Sequence, residues 1–261
     1  MLTTNTHYQQ KAGACMNAQR LSKRLEQVAQ MIIQTAQAPI RLVDIGSDHA
    51  YLPTNLALND RIEWAIAGEV AQGPFQSAQA TIDSYQLQDK IQARLGDGFE
   101  VVQVEDQINL ATICGMGGSL IINILEGGHA RKVLPDHLVL QANNQVPQLR
   151  RYLQGLNYQL IDEALVEEKG QIYQILQVKR QDQVTLLDDR QLLFGPHQLM
   201  KQGPIFKRYW LNEQDHRQKV LDQMQGLNKE MLSNKDQAKQ KQLRQEIEWI
   251  EEVLQNDWKT L

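Results

Sequence analysis

A glycine lying between two aspartates marks the segment of this chain that is best suited to holding a small polar ligand. The segment is residues 43–53, VDIGSDHAYLP, and it begins in an apolar run typical of a strand. A glycine at a strand-to-helix turn lets the backbone approach a ligand closely, and carboxylates can balance a cation. The candidate ligand-binding residues of this segment are Asp44, Gly46, Ser47, Asp48 and His49.

Three later apolar runs also end in small or acidic residues: GEV at residues 68–70, GDG at residues 96–98 and CGMGG at residues 114–118. An acid such as Glu69 can accept both hydroxyls of a ribose, and Asp97 can accept from an adenine amino group. One such turn is a weak signal because turn residues usually serve the turn, but four in succession predict a ligand site. The candidates at these ends are Glu69, Val70, Asp97, Gly98, Gly115, Met116, Gly117 and Gly118.

The charge of these turns favours one nucleoside-containing cofactor over the others. The dinucleotide fingerprint G-x-G-x-x-G is absent, and Asp48 would repel a pyrophosphate at the first turn. A sulfonium with an amino-acid tail suits acids better, since Asp44 and Asp48 can balance the sulfonium and the α-ammonium. The sequence therefore predicts S-adenosyl-L-methionine as the cofactor. A purely structural alternative for Asp48 is the N-cap of the following helix.

The order of the apolar runs predicts a doubly wound α/β sheet that brings these turns to one edge. Apolar residues at helical spacing between residues 17 and 33 predict a helix before the first strand. Short strands alternating with helices indicate parallel pairing, and such sheets bind ligands at the carboxyl ends of their strands. The predicted strands are 41–45, 64–69, 91–95, 110–114 and 137–141, and the predicted helices are 51–58, 73–85 and 119–126.

After Pro147 the pattern changes. A helix over residues 149–153 leads into two strands, 158–166 and 172–178, which the turn at residues 168–170 joins as an antiparallel hairpin. We expect this hairpin to complete the sheet.

Two apolar stripes in the tail predict a pair of helices that turn near residues 233–236. The stripes are Val220, Met224, Leu227 and Met231, and then Leu243, Ile247, Ile250 and Leu254. Their spacing is typical of an antiparallel coiled-coil-like hairpin. We therefore predict a Rossmann-like cofactor-binding domain over residues 1–183 and a C-terminal helical domain over residues 184–261, with residues 1–15 and the last few poorly ordered.

Composition and charge restrict the classes of function. The 261 residues carry a net charge of -4, which argues against a general basic field for nucleic acid. Cys15 and Cys114 form neither a disulfide framework nor a paired-thiol metal site, and no apolar run reaches membrane-spanning length. We expect a soluble, cytoplasmic protein without a metal.

The basic residues are concentrated at the two ends of the chain. Basic and acidic residues number 4 and 1 over residues 1–30, 12 and 20 over 31–194, and 11 and 10 over 195–261. Arg20, Lys23 and Arg24 are therefore the first candidates for contact with a polyanion. The alternative is that they form a solvated helix face.

Seven segments between residues 21 and 200 resemble the bacterial tRNA (adenine(22)-N1)-methyltransferases: LSKRLEQVAQMI, DIGSDHAYLP, AIAGEVAQGPFQSA, RLGDGFEV, ICGMGG, LVLQANNQVPQLRRYL and LFGPHQLM. The resemblance implies a Rossmann-like class I methyltransferase domain, a coiled-coil-like C-terminal domain and methylation of N1 of one tRNA adenine. Two residues depart from the family pattern, Ala142 where proline is expected and Cys114 where alanine is common. Neither change removes a polar group, so activity is expected.

The resemblance makes a ring nitrogen of an exposed base the target. Adenine N1 has a lone pair and needs no prior deprotonation, so positioning should dominate catalysis, and the base must be unpaired or flipped. The turn at residues 115–118 lacks the N-P-P-Y-like segment common in enzymes that methylate exocyclic amines. Asp48 is the candidate for stabilising the cation that forms, Tyr51 for stacking or hydrogen bonding, and Asn143 or Asn144 for reading the adenine edge. Packing of Tyr51 on the sheet and turn roles for the asparagines are the structural alternatives.

Three other functions remain open from the residues alone. A nicotinamide oxidoreductase would need a G-x-G-x-x-G turn, which is absent. A small-molecule methyltransferase would need no basic ends, and a non-catalytic scaffold could use the helical tail as an interface. We expect a monomer or a weak homodimer.

Overall fold

The computed structural model describes residues 17–35, 39–225 and 233–255. Strands and helices alternate as far as the fifth strand, and an antiparallel pair of strands and then four helices follow. The strands are β1 (Arg41–Ile45), β2 (Trp64–Glu69), β3 (Ile91–Leu95), β4 (Leu110–Met116), β5 (His137–Ala142), β6 (Tyr158–Glu168) and β7 (Gln171–Arg180). The helices are α1 (Lys23–Thr35), α2 (Tyr51–Leu58), α3 (Gln72–Ser84), α4 (Gly118–Ala130), α5 (Val146–Gly155), α6 (Asp189–Phe194), α7 (Pro196–Lys201), α8 (Pro204–Gln225) and α9 (Asn234–Gln255).

The seven strands form one sheet in the order β3-β2-β1-β4-β5-β7-β6. The first five strands are parallel, and β7 runs antiparallel between β5 and β6. The strand order reverses between β1 and β4, and ligands bind at such a switch point in open α/β sheets. The predicted doubly wound α/β class is confirmed.

Strands β1, β2, β4 and β5 are buried on both faces, which explains why they are nearly continuous apolar runs, whereas the edge strand β3 alternates buried and exposed residues. On one face Leu42 packs with residues of α1 and α2 such as Val28 and Leu56. On the other face Val43 packs with residues of α4 and α5 such as Ile121. The turns between strands and helices are thereby held between two solid apolar layers.

The N-terminal helix begins later than predicted. It was expected from residue 17 but starts at Lys23. The Asn17 side-chain oxygen accepts hydrogen bonds from the backbone N–H groups of Gln19 (3.0 Å) and Arg20 (2.9 Å). Asparagine competes in this way with helical hydrogen bonding, so the chain makes a turn first.

The predicted β-hairpin forms, with a tighter turn than expected. Glu168 is the last residue of β6, so only Lys169 and Gly170 form the turn. Helices α4 and α5 extend at both ends beyond the predicted ranges of 119–126 and 149–153.

Helices α8 and α9 pack side by side through two apolar clusters. Near the sheet, Phe206 and Trp210 of α8 pack with Ile250 of α9, and farther along, Leu221 packs with Leu243. Leu227 and Met231 of the predicted stripe lie outside the described residues, as do residues 1–15 and the last few. The division into two domains at residue 183 stays a prediction. Over residues 17–35, 39–225 and 233–255, no helix combines the length and apolar character needed to cross a membrane.

Candidate active site

Asp44, near the end of β1, is buried and hydrogen-bonded through both carboxylate oxygens. Thr112 Oγ1 of β4 donates to its Oδ1 and Ser47 Oγ donates to its Oδ2, both at 2.6 Å. Burial raises the pKa of the Asp44 carboxyl, and the two hydroxyl donors oppose that rise. Asp44 therefore joins the β1 turn to β4, and it can act on a cation through its charge. Thr112 was not predicted from the sequence, and the pairing of β1 with β4 brings it here.

Gly46 lets the turn after β1 approach the turn after β4. Its φ is +70°, and a Cβ added to it would lie 2.2 Å from Met116 Cε. Its N–H donates to the Gly68 carbonyl oxygen at 2.9 Å. Three of the four predicted strand ends therefore meet around Gly46.

Glu69, at the end of β2, presents a buried carboxylate to the first turn. Its Oε1 accepts a close hydrogen bond from the backbone N–H of Asp48, and the residue is 5% exposed. The pKa of the Glu69 carboxyl is raised to about 7, mainly by burial and also by the charges of Asp44 and Asp48, against the lowering effect of the hydrogen bond from the Asp48 N–H. Val70, the next residue, is 69% exposed and offers an apolar contact beside this carboxylate.

The Asp48 side chain does not cap helix α2, which was the structural alternative to a role in ligand binding. The N-cap of α2 is Ala50, which has φ 53° and no side-chain cap, and Asp48 itself has φ 58°. The Asp48 side chain is 73% exposed, and its Oδ1 lies 3.7 Å from His49 Nε2. The left-handed backbone at both positions turns this carboxylate outward. The N-cap interpretation of Asp48 is wrong.

His49 and Tyr51 form a stacked pair of rings beside Asp48. Their ring centroids are 5.0 Å apart and their planes differ by 14°. Tyr51 also packs against the apolar layer that contains Leu52 and Leu56. The structural interpretation of Tyr51 therefore holds alongside any contact with a ligand.

The turn after β3 places Asp97 at the surface. Its backbone N–H donates to Glu100 Oε2 at 3.2 Å. Gly98 has φ +52°, and a Cβ added to it would lie 3.2 Å from Ile124. The Asp97 carboxylate is thus exposed just beyond the end of β3, and its contact with an adenine amino group stays a prediction.

The glycines after β4 are required by close packing against the segment that follows β5. A Cβ on Gly118 would lie 2.7 Å from the Asn144 carbonyl oxygen, and one on Gly117 would lie 3.2 Å from Asn144 Oδ1. Gly115 has φ +80°. Asn144 Oδ1 accepts from the Gly118 N–H at 3.1 Å, so it caps the start of α4.

The Asn143 side chain supports the same turn. Its Nδ2 donates to the Gly115 carbonyl oxygen at 2.8 Å, and its Oδ1 accepts from Gln141 Nε2 at 2.9 Å. Both asparagines therefore have structural hydrogen bonds of the kind expected of turn residues. Their reading of an adenine edge stays a prediction.

Of the three residues predicted to contact a polyanion, the structure brings Arg24 to the strand ends. Its Nη1 donates to Gln141 Oε1 at 2.5 Å, and the guanidinium lies 5.3 Å from the Tyr173 ring centroid. Arg20 and Lys23 are exposed. Gln141 and Tyr173 were not predicted as partners of Arg24. Both lie far from it in the sequence, Gln141 by 117 positions, and no sequence pattern pairs them with it.

The two departures from the family pattern fit the fold. Burial raises the pKa of the Cys114 thiol to about 12, so the thiol stays neutral at physiological pH. Ala142 is 3% exposed and pairs with Gln174 of β7, so its backbone continues the strand. In the part of the chain that the structure describes, no three His, Cys, Asp or Glu residues are grouped to hold a metal ion.

Comparison with known proteins identifies the family. A family model described as tRNA (adenine(22)-N(1))-methyltransferase matches residues 42–252. The tRNA (adenine(22)-N(1))-methyltransferase of Bacillus subtilis is 36% identical over 92% of this chain and 99% of its own length. The crystal structure of the B. subtilis m1A22 tRNA methyltransferase superposes with a TM-score of 0.79 at 34% identity, covering 90% of this chain and 99% of that one.

A second solved structure carries the cofactor that the turns predict. A Streptococcus pneumoniae protein in complex with S-adenosyl-L-methionine is 37% identical, with a TM-score of 0.77 over 89% of this chain and 99% of that one. The matches extend across both the sheet and the C-terminal helices. The chain belongs to the tRNA (adenine(22)-N(1))-methyltransferase family.

Proposed function

We propose that this protein transfers a methyl group from S-adenosyl-L-methionine to N1 of adenine 22 in tRNA, giving 1-methyladenosine. The observation that carries the proposal is the meeting of three strand-end turns, those of β1, β2 and β4, around Gly46 beside the switch point of the sheet, in a chain that belongs to this family. We further propose that it acts in the cytoplasm, as a monomer or a weak homodimer.

The residues at the strand ends fit the cofactor. The buried Glu69 carboxylate suits a ribose diol, and Asp97 lies at the next strand end for the adenine amino group. Gly46, with its left-handed φ and no side chain, lets Met116 of the β4 turn lie against the first turn. Asp44 and Asp48 add negative charge for the cationic end. The proposed cofactor-binding residues are Asp44, Gly46, Ser47, Asp48, His49, Glu69, Val70, Asp97, Gly98, Gly115, Met116, Gly117 and Gly118.

When bound, the cofactor supplies an electrophilic methyl group on a sulfonium. The chain's contribution is to hold the adenine with N1 about 3–3.5 Å from that carbon, which can supply roughly 7–11 kcal/mol of the rate enhancement. The open turn at residues 115–118 leaves room for the base, and Tyr51 with its stacked partner His49 offers a ring face beside it. No general base is needed, since the N1 lone pair is free in an unpaired base.

Asp48 is the residue we assign to the charge that appears during transfer. The adenine becomes cationic as N1 takes the methyl group, and a carboxylate near the ring lowers the energy of that state. Because the Asp48 side chain is 73% exposed, solvent screens its field, and we expect Asp48→Asn to lower kcat about tenfold. Asp89→Asn is the matched control, since Asp89 is an exposed carboxylate next to the start of β3, at the opposite edge of the sheet. Equal kcat values for the two variants would remove Asp48 from the mechanism.

We assign contact with the RNA backbone first to Arg24, and then to Arg20 and Lys23. Arg24 is partly exposed and points to the Gly115 turn, where a Cβ would lie 3.4 Å from its Nη1. A guanidinium at this place can hold a phosphate next to the target nucleotide. Asn143 and Asn144 are proposed to shape the pocket for the base through the Gly115–Gly118 turn.

The reaction is tested by incubating the purified protein with labelled S-adenosyl-L-methionine and unmodified bulk tRNA, followed by nucleoside analysis of the digest. We expect 1-methyladenosine as the labelled product. Label in N6-methyladenosine would overturn the choice of ring nitrogen. Cofactor binding without any transfer to RNA would favour a small-molecule substrate or a scaffold role.

A further inference from the structure

Two segments that carry the family resemblance, residues 138–153 and 193–200, meet at a buried ion pair to which the proposed site assigns no role. Arg150 Nη2 of α5 lies 2.6 Å from Glu163 Oε1 of β6, and both side chains are 1% exposed. Gln174 of β7 accepts from the same guanidinium nitrogen at 3.0 Å. We call Arg150, Glu163, Gln174 and Gly195 the junction cluster.

The junction cluster attaches α6 and α7 to the sheet. Arg150 Nη1 donates to the Leu192 carbonyl oxygen of α6 at 2.7 Å. Glu163 Oε2 accepts from the backbone N–H of His197, in α7, at 3.1 Å. Each partner of the ion pair therefore binds one side of the bend between α6 and α7.

Gly195 forms that bend against the ion pair itself. A Cβ added to it would lie 2.4 Å from both Glu163 carboxylate oxygens and 2.7 Å from Arg150 Nη2. Its φ is +85°, a backbone conformation that other residues rarely adopt. The sequence of this bend is thus adapted to the buried charges.

The contacts continue into α8. Gln174 Nε2 donates to Tyr209 Oη at 2.9 Å, and Arg208 forms a close ion pair with Glu167 of β6. At the other side of the hairpin base, Arg190 of α6 lies 2.7 Å from Glu252 of α9. Both long helices are therefore connected to the junction cluster or its immediate neighbours.

The far end of the helical hairpin is basic. The first half of α9, residues 234–245, carries four exposed basic residues and one acid, and the second half, residues 246–255, carries four acids and no base. Gln240 Nε2 donates to the Met224 carbonyl oxygen, so this basic half lies beside the C-terminal end of α8. The basic residues are Lys235, Lys239, Lys241 and Arg244.

A small change in the angle at the base of the hairpin displaces its far end by several ångströms. Helix α9 has 22 residues, which at 1.5 Å per residue gives a length of about 33 Å. A tilt of roughly 10° at the base would move the far end by about 6 Å, which is close to the spacing of successive phosphates along a strand. A bound polyanion would then be displaced relative to the strand-end site.

We propose that the junction cluster positions the α8–α9 hairpin, so that tRNA held by its basic far end presents the target adenine to the strand-end site. This proposal rests on the proposed function. A buried ion pair seldom adds net stability over apolar packing, but the forked guanidinium fixes direction, and Arg150 directs its donors to β6, β7 and α6 together. Arg150 and Glu163 are thus positioning residues.

The test replaces the ion pair by apolar side chains of similar size in the double variant Arg150→Met/Glu163→Leu. Because no unpaired buried charge is left, the fold and the cofactor Kd are expected to be kept. We expect KM for tRNA to rise at least tenfold while the cofactor Kd changes less than twofold. Lys90→Met is the control, since Lys90 pairs with the 85% exposed Asp60 next to β3, at the other edge of the sheet from the hairpin, and its KM for tRNA should be unchanged.

The outcomes separate this proposal from the proposed function. If the wild-type protein does not methylate tRNA, the proposed function fails. If the wild type methylates tRNA and the folded double variant does so with the same KM, the positioning proposal alone is overturned. Arg150→Lys, which keeps the charge and loses the fork, should give an intermediate KM with an unchanged cofactor Kd. Should the double variant not bind cofactor, a wild-type KM in Arg150→Lys overturns the proposal and a raised one supports it.

Discussion

The pKa of Glu69 makes cofactor binding depend on pH in a direction that the structure fixes. This pKa is raised to about 7, mainly by burial and also by the charges of Asp44 and Asp48, despite the hydrogen bond from the Asp48 N–H. Ribose hydroxyls donate to the carboxylate, so only the ionised form of Glu69 offers both acceptors. The apparent Kd should therefore scale as one plus the ratio of protonated to ionised Glu69.

The expected size follows from that pKa. The factor is about 11 at pH 6 and about 1.1 at pH 8, so affinity should weaken about tenfold over this interval, or roughly 1.4 kcal/mol. Calorimetry in two buffers of different ionisation enthalpy would also show about half a proton released on binding near pH 7. Glu69→Gln cannot titrate, so it removes this component and leaves the titration of the cofactor's own amino group as the background.

The raised pKa of Glu69 also predicts that the stability of the cofactor-free protein falls with rising pH, whereas cofactor affinity rises. Since the folded pKa lies above the ordinary value of 4.5, the contribution of Glu69 to stability is complete below about pH 4.5 and is lost as pH rises through about 7. Glu69→Gln should accordingly raise the Tm of the cofactor-free protein at pH 8 and leave it nearly unchanged at pH 5. If the pH dependence of cofactor affinity were the same in Glu69→Gln and the wild type, the assignment of Glu69 to the ribose would be refuted.

Three further variants test the construction of the site. Gly118→Ala would place a Cβ 2.7 Å from the Asn144 carbonyl oxygen and should lower the free energy of unfolding in urea by about 1–3 kcal/mol. Gly127→Ala in the same helix meets open space and should raise that free energy by up to about 1 kcal/mol. Equal effects of the two variants would contradict the packing argument. Thr112→Val leaves a buried Asp44 oxygen without its donor and should cost about 1–3 kcal/mol, while Thr54→Val removes a buried hydroxyl that has no partner among the described residues and should be neutral or stabilising. Arg24→Met should weaken tRNA binding and reduce the slope of log K against log salt by about 1, with Lys90→Met as the control that leaves the slope unchanged; an unaltered slope in Arg24→Met would remove Arg24 from the RNA contact.

Much of the fold was predictable because burial on both faces of a parallel sheet leaves a continuous apolar run in the sequence. The five parallel strands, the terminal hairpin and the acids at the strand ends all follow from such local patterns. The start of α1 was mispredicted because the Asn17 side chain makes a turn whose hydrogen bonds periodicity does not register.

Contacts between distant segments were beyond the sequence patterns. Thr112 on Asp44, Gln141 on Arg24 and Arg150 on Glu163 depend on strand register and on the packing of α1 and α5. Each of these residues is polar in an otherwise apolar or amphipathic segment, which marks it as unusual without naming its partner. The outward turn of Asp48 likewise depends on left-handed backbone at Asp48 and Ala50, which no pattern of residue types predicts.

The measurement that tests the central claim most directly uses two transcripts of one tRNA that differ only at position 22, adenine in one and guanine in the other. Incubated with the wild-type protein and S-adenosyl-L-methionine, the adenine transcript should gain one methyl group per molecule, recovered as 1-methyladenosine and mapped to position 22. The guanine transcript should gain none. Equal methylation of both transcripts would contradict the account.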